Sequence, residues 1–242
     1  MENSLANKTE LSTATDSVDE LGCGMDDLDN ATIAADSAAQ CRQRFALVCD
    51  ATSSMNSAWT AAQNALKQAM DQIKSRATVP VQLRVVAYRD VDDGPKAVCE
   101  ASEWSDDTDY LQSFIKSIRC FGGGDYPESV GVGLRQLLQQ QVKTVILIGD
   151  APGKDPDMGF KEAQIMGREG CPIYALYTDD DPRLVAHFEQ LARLSGGKAM
   201  LLSDFKDLRD IISVLLTSNK ALQISYTPET ASGKKAQALL GA

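Results

Sequence analysis

Arg44-Phe45-Ala46-Leu47-Val48-Cys49 is an apolar run behind a single arginine, and it ends on Asp50. A run without the alternation of a half-exposed strand predicts a strand buried on both faces, as found inside parallel sheets. Five stretches extend the pattern: VQLRVVAY (81–88), KAVCEASEW (96–104), KTVILIG (143–149), PIYALYT (172–178) and a short KAMLL (198–202). Helical patterns separate them at 56–76, 107–118, 127–141 and 158–169, and continue at 182–195 and 204–218. Only Arg89 and the turn DVDDGP lie between the second and third strands, which permits nothing but an antiparallel hairpin. Every other connection carries a helix, which predicts parallel pairing through right-handed crossovers. The expected fold is α/β: a doubly wound, mostly parallel six-stranded sheet with one antiparallel edge strand and helices on both faces.

The chain has 242 residues, 43% of them hydrophobic, enough for one domain with a substantial core. Its 24 Lys and Arg face 34 Asp and Glu, a net charge of -10, but the imbalance is local. Residues 1–40 hold nine acids and one base, Lys8, leaving 23 bases and 25 acids over 41–242. No basic surface excess supports binding to nucleic acid. The expected organisation is an acidic, disordered tail over 1–40, a domain over 41–220, and a C-terminal tail over 221–242, where helical periodicity fades. The start has no basic, apolar signal pattern and no stretch is long enough to span a bilayer, so a cytoplasmic protein without membrane insertion is expected. The six cysteines never approach CxxC spacing and are expected to be reduced. The single histidine, His187, removes multi-histidine metal sites and reads as a helix-surface or semi-buried residue.

In doubly wound sheets ligands gather beyond the carboxyl ends of the strands, so the loops there carry the functional reading. The first strand delivers Asp50, Thr52 and Ser54, a carboxylate and two hydroxyls at alternate positions. No glycine-rich phosphate loop follows it. Hard oxygen donors suit Mg²⁺, Mn²⁺ or Ca²⁺ better than zinc or copper. The fourth strand ends in Gly149-Asp150, a second carboxylate on the expected neighbour of the first strand. Between them lies Cys120-Phe121-Gly122-Gly123-Gly124-Asp125-Tyr126-Pro127-Glu128. Asp125 and Glu128 match a capping box, whereas three glycines in a row make sense where a loop takes unusual dihedrals or approaches something closely. Asp90, Asp92 and Asp93 read as a polar turn, and Asp179 to Asp181 as charges at a helix N-terminus. Gly131 and Gly133 point to close packing of a helix on the sheet.

These loops, and the order of elements over roughly residues 43–218, resemble the von Willebrand factor A (VWA) family. The closest likeness is to its branch found beside alpha-kinase domains and in hemicentin-like proteins, through Gly122 to Glu128 and Tyr88-Arg89-Asp90. The resemblance implies a metal-ion-dependent adhesion site (MIDAS) in which Asp50, Thr52 and Ser54 form the first ligand loop. Asp125 stands where many members have threonine, and Asp150 would hold the metal, usually through water. It further implies a non-catalytic protein-binding module, with Mg²⁺ the first expectation, whose open coordination position is completed by an acidic residue of a partner protein. Two alternatives stay open: a metal-dependent phosphohydrolase or phosphotransferase using Asp50 as nucleophile, and a VWA module with a degenerate metal site. The first is weakened because haloacid dehalogenase-type enzymes need a second Asp at the position of Thr52.

Overall fold

Alternate side chains of β1 (Gln43–Asp50) leave opposite faces of the sheet, and both sets are apolar. Phe45, Leu47 and Cys49 enter one core, Ala46 and Val48 the other, which is why the run shows no polar period. The computed structural model describes residues 43–77, 79–94, 98–124, 126–217 and 227–240. Five more strands complete the sheet: β2 (Val81–Tyr88), β3 (Cys99–Ala101), β4 (Thr144–Gly149), β5 (Ile173–Tyr177) and β6 (Ala199–Leu201). Their order is β3-β2-β1-β4-β5-β6, with β3 antiparallel at one edge and all other pairs parallel. The expected fold is therefore the observed one.

One face is covered by α1 (Asn56–Arg76), α2 (Thr108–Ser117) and α6 (Leu208–Thr217), which contribute Leu66, Leu111 and Ile211 to its core. The other is covered by α3 (Val130–Arg135), α4 (Pro156–Arg168) and α5 (Pro182–Ser195), with Leu134, Met166 and Phe188. Aspartates set the starts of three helices. Asp107, Asp155 and Asp181 each accept a hydrogen bond from a backbone N–H of the first turn, satisfying donors that have no intrahelical partner. The acids ahead of α5 thus act as expected.

Several boundaries differ from the expected ones. The helix predicted over 127–141 is only the six-residue α3, followed by turns in which Gln139 and Gln141 take positive φ. Its two glycines serve contacts instead. A Cβ on Gly133 would sit 3.1 Å from both Tyr88 and Val48 of the sheet, whereas Gly131 faces Met158 and Gly159 of α4. β3 is shorter than predicted because only Cys99–Ala101 pair with β2. His187 is buried rather than semi-buried, packed beside Phe160 with its ring 5.1 Å away. The expected C-terminal tail contains α7 (Ala231–Leu240), which packs on α6 and buries Ala236. Its start is anchored by buried Asp210, which accepts from Thr230 N (2.7 Å) and Thr230 Oγ1 (2.9 Å). The acidic tail expected over 1–40 lies outside the described residues. Among the described residues no helix is long and apolar enough to cross a membrane.

Candidate metal centre

The sheet order reverses between β1 and β4, and the register Cys49–Ile148 brings their two ends side by side. Asp50 leaves β1 there fully buried. Its Oδ1 accepts from Thr52 N (2.8 Å) and Thr52 Oγ1 (2.7 Å), and Thr52 Oγ1 lies 3.2 Å from Ser54 Oγ. Trp59 Nε1 donates to the Asp50 carbonyl (2.7 Å), fixing the loop from beneath. The alternate spacing read from the sequence therefore gathers one carboxylate and two hydroxyls into a single cluster. Asp50 Oδ2 is buried with no hydrogen-bond partner. Asp150, half-buried one residue beyond β4, is an electrostatic neighbour of Asp50. Asp125 lies outside the described residues.

The glycine loop closes over this cluster. Phe121 N donates to Ala51 O (3.2 Å) and Ser53 Oγ to Gly122 O (3.1 Å). Gly122 and Gly123 take φ of 75° and 79°. A Cβ on Gly122 would collide with the Asp93 carboxylate, and one on Gly123 would lie 3.0 Å from Thr52 Cβ and 3.2 Å from Glu128 Oε1. Positive φ and close approach thus both require glycine here.

Glu128 departs from its capping-box reading. The helix starts two residues later, at Val130, and Glu128 instead forms an isolated parallel bridge with Gly153, accepting from Lys154 N (2.7 Å) and donating its N–H to Pro152 O (2.9 Å). The bridge ties it to the loop that carries Asp150. Glu128 is 3% exposed, and its Oε2 is buried without a partner. Burial raises the Asp50 carboxyl from 3.8 to about 7, with the Asp150 charge adding to it. Burial raises Glu128 further, from 4.5 to about 9, helped by the charges of Asp50, Asp90, Asp150 and Asp93.

The surrounding loops are braced by residues read as ordinary turn positions. Asp90 is buried, and both its oxygens accept from Lys154 Nζ at 2.9 Å, joining the loop after β2 to the loop after β4. Arg89 is also buried; it donates to Arg119 O (3.2 and 2.7 Å), pairs with Glu100 (2.8 Å) and stacks 4.4 Å from the Phe121 ring. It thereby props the segment that leads into the glycines. A charged residue directly after a buried strand was the available signal for both roles.

The donor set fits a hard divalent cation. Two hydroxyls, a buried carboxylate with an orphaned oxygen and a neighbouring carboxylate converge, all of them oxygen donors. Among the described residues no group of three His, Cys, Asp or Glu is arranged to hold a metal, so hydroxyls would have to supply part of the coordination.

An α/β sheet bearing a carboxylate-hydroxyl cluster at its switch point defines the class of molecule. The chain belongs to the von Willebrand factor A domain family, whose model matches residues 44–204. An ariadne-like RING finger protein of Acanthamoeba polyphaga mimivirus is 33% identical over 110 residues, 45% of this chain; the matched part spans only 11% of the viral protein. Proximal thread matrix protein 1 from mussel byssus has the same fold, with a TM-score of 0.55, 19% identity, and coverage of 77% of this chain and 47% of the mussel protein. That mussel protein has also been solved with a zinc-occupied MIDAS motif, at TM-score 0.54 and 20% identity over 73% of this chain and 46% of the other. The SpRpn10 VWA domain matches at TM-score 0.51 and 11% identity, over 76% of this chain and 99% of that one.

Proposed function

We propose that this domain is a non-catalytic protein-binding module that holds a divalent cation, Mg²⁺ first, between Asp50, Thr52, Ser54, Asp125 and Asp150. The observation that carries the reading is Asp50. It is buried beside two hydroxyls and a second carboxylate, with one oxygen left without a partner. A buried, half-satisfied carboxylate is costly unless something of opposite charge meets it. A bound cation supplies that charge and offers a Lewis-acidic position to an external oxygen ligand. Thr52 and Ser54 would contribute neutral oxygens, Asp50 and Asp150 charge, and an acidic residue of a partner protein would complete the coordination. The zinc-occupied MIDAS motif of the mussel protein supports the reading by analogy of fold.

The test is thermal unfolding of the wild type and of Asp50→Ala, in EDTA and with Mg²⁺, Mn²⁺ or Ca²⁺. An ion that binds only the folded state must raise its stability. The expected result is a cation-dependent rise of several degrees in the wild type that vanishes in the variant. Absence of any three-acid metal group among the described residues favours a second reading, a VWA module with a degenerate site. A wild type that responds to no cation selects it.

A further inference from the structure

Among the described residues three large apolar side chains are exposed: Val91, Tyr110 and Phe121. Tyr110 has a local duty at the start of α2, where its hydroxyl accepts from Glu103 N (3.0 Å). Val91 and Phe121 stand instead on two loops that meet beside the metal centre. Phe121 leads the glycine loop, and the bonds from Phe121 N to Ala51 O (3.2 Å) and from Ser53 Oγ to Gly122 O (3.1 Å) fix it against the first ligand loop. Val91 opens the short turn Val91–Asp93, which lies against the same glycine loop, since the Cα of Gly122 faces the Asp93 carboxylate. The Phe121 ring rests on the Arg89 guanidinium, which is itself buried and held by Arg119 O and Glu100. An aromatic ring that is 41% exposed yet propped from beneath loses little freedom when another group lands on it. Gly122, Gly123 and Gly124 follow it, exposed and without side chains to cover it. The loops at this end of the sheet also carry the exposed acids Asp92, Asp179 and Asp180. They repel a run of acids in a partner but tolerate a single acid with an apolar neighbour.

We propose that Phe121 and Val91 form the apolar half of the partner-binding face, and that the partner segment carries one acidic residue with a large apolar side chain close to it in sequence. The proposal rests on the reading of the domain as a metal-dependent binding module. The acid completes the cation's coordination, and the apolar side chain settles on the Phe121 ring toward Val91. Single exposed apolar residues are ordinary on a protein surface, but a pair on two touching loops beside the binding position is a patch. A lone ion contact open to solvent is weak, so the apolar contact supplies much of the affinity, and the need for both sets the specificity. The cation decides whether an acid is held, and Phe121 decides which acidic segments are accepted.

The experiment is selection, on the full chain, from a displayed peptide library with one fixed central Glu and randomised flanks, in Mg²⁺ and in EDTA. Calorimetric titration of the most enriched peptide follows, on the wild type, Phe121→Ala and Val91→Ser. The expected result is Mg²⁺-dependent enrichment of Leu, Ile, Val, Met, Phe or Trp near the Glu, with affinity roughly tenfold weaker in Phe121→Ala, as for loss of an interface anchor, and weaker also in Val91→Ser. The Mg²⁺-dependent rise in unfolding temperature stays in both variants, since neither residue is a ligand. Mg²⁺-dependent peptides with no apolar preference overturn the proposal and leave the metal-dependent module standing. Apolar-flanked peptides whose affinity neither substitution changes overturn it too, and reduce Phe121 to a cover for Arg89. No enrichment by a wild type that Mg²⁺ stabilises in the melt also overturns it. A wild type that no cation stabilises, or peptides bound equally well in EDTA, overturns both the proposal and the reading on which it rests. Val91→Ser, on an exposed turn, decides the matter if Phe121→Ala fails to fold.

Discussion

Asp50 and Glu128 are acids whose surroundings oppose ionisation, and this makes metal-free stability depend on pH in a definite direction. Both carboxyls are raised in the folded state, Asp50 to about 7 and Glu128 to about 9, from ordinary values of 3.8 and 4.5. The folded protein therefore holds protons that the unfolded chain has already released. Their stabilising contribution is complete below about pH 4 and is lost as pH rises through 7 and then 9. In EDTA the urea midpoint should fall between pH 5 and pH 9. Asp50→Asn should flatten the lower part of that decline and Glu128→Gln the upper part; a wild-type midpoint that does not move across the range would refute the account. Saturating Mg²⁺ should reverse the trend, because ionised carboxylates bind the cation better than protonated ones. The two residues also differ in how visible they are in sequence. Asp50 is legible because its partners Thr52 and Ser54 are two and four residues away, so the spacing itself describes the cluster. Glu128 is not, because its role depends on a bridge to Gly153, 25 positions along, and the local pattern resembles a helix cap instead.

The elements repeat this contrast. The buried strands β1, β2 and β4 could be read almost to the residue, since unbroken apolar runs are their direct physical requirement. Short elements at the edges could not. β3 keeps three paired residues of the nine predicted, and α3 keeps six of fifteen, because contacts with the rest of the fold set their ends. α7 is not legible because the positions it buries are Gly233 and Ala236, and such small residues give little periodic signal. Glycines inside helices carry information of another kind. On α4, a Cβ at Gly167 would lie 2.5 Å from the Leu194 carbonyl oxygen and 3.1 Å from Ser195 Cα on α5. Both obstacles are backbone, and neither can rotate away. Gly167→Ala should gain about 0.5–1 kcal/mol in intrinsic helix preference. It should lose about 1–3 kcal/mol as the two helices are forced apart. A net drop in the urea midpoint is expected, and a rise would show that the α4–α5 contact has more freedom than its geometry indicates.

At the scale of the whole molecule, the functional end and the stabilising end of the domain are separate enough to be dissected. The metal-centre residues lie on loops after β1 and β4 and on the segment between them, whereas α7 adds Ala236 and Leu240 to the core that holds Leu176, Met200 and Leu215, with Leu176 on β5 and Met200 on β6. The two ends should therefore respond differently to truncation. A chain of residues 41–242 contains both cores and every proposed ligand, and it should keep the unfolding temperature and the cation-dependent rise of the full chain. Ending the chain at 226 removes α7, leaves Asp210 without Thr230, and uncovers Leu215 and Met200. Burying one or two such side chains contributes roughly 1.5–3 kcal/mol each, so the shortened chain should unfold several degrees lower. Its response to Mg²⁺ should nonetheless persist, because no ligand has been touched and the loops around Asp50 are braced by Arg89 and by Asp90 with Lys154, all of them retained. Parallel melts of the three chains, each with and without Mg²⁺, decide this. If the cation-dependent rise disappears together with α7, the two ends are coupled through the sheet and the centre is not a local construction of its loops.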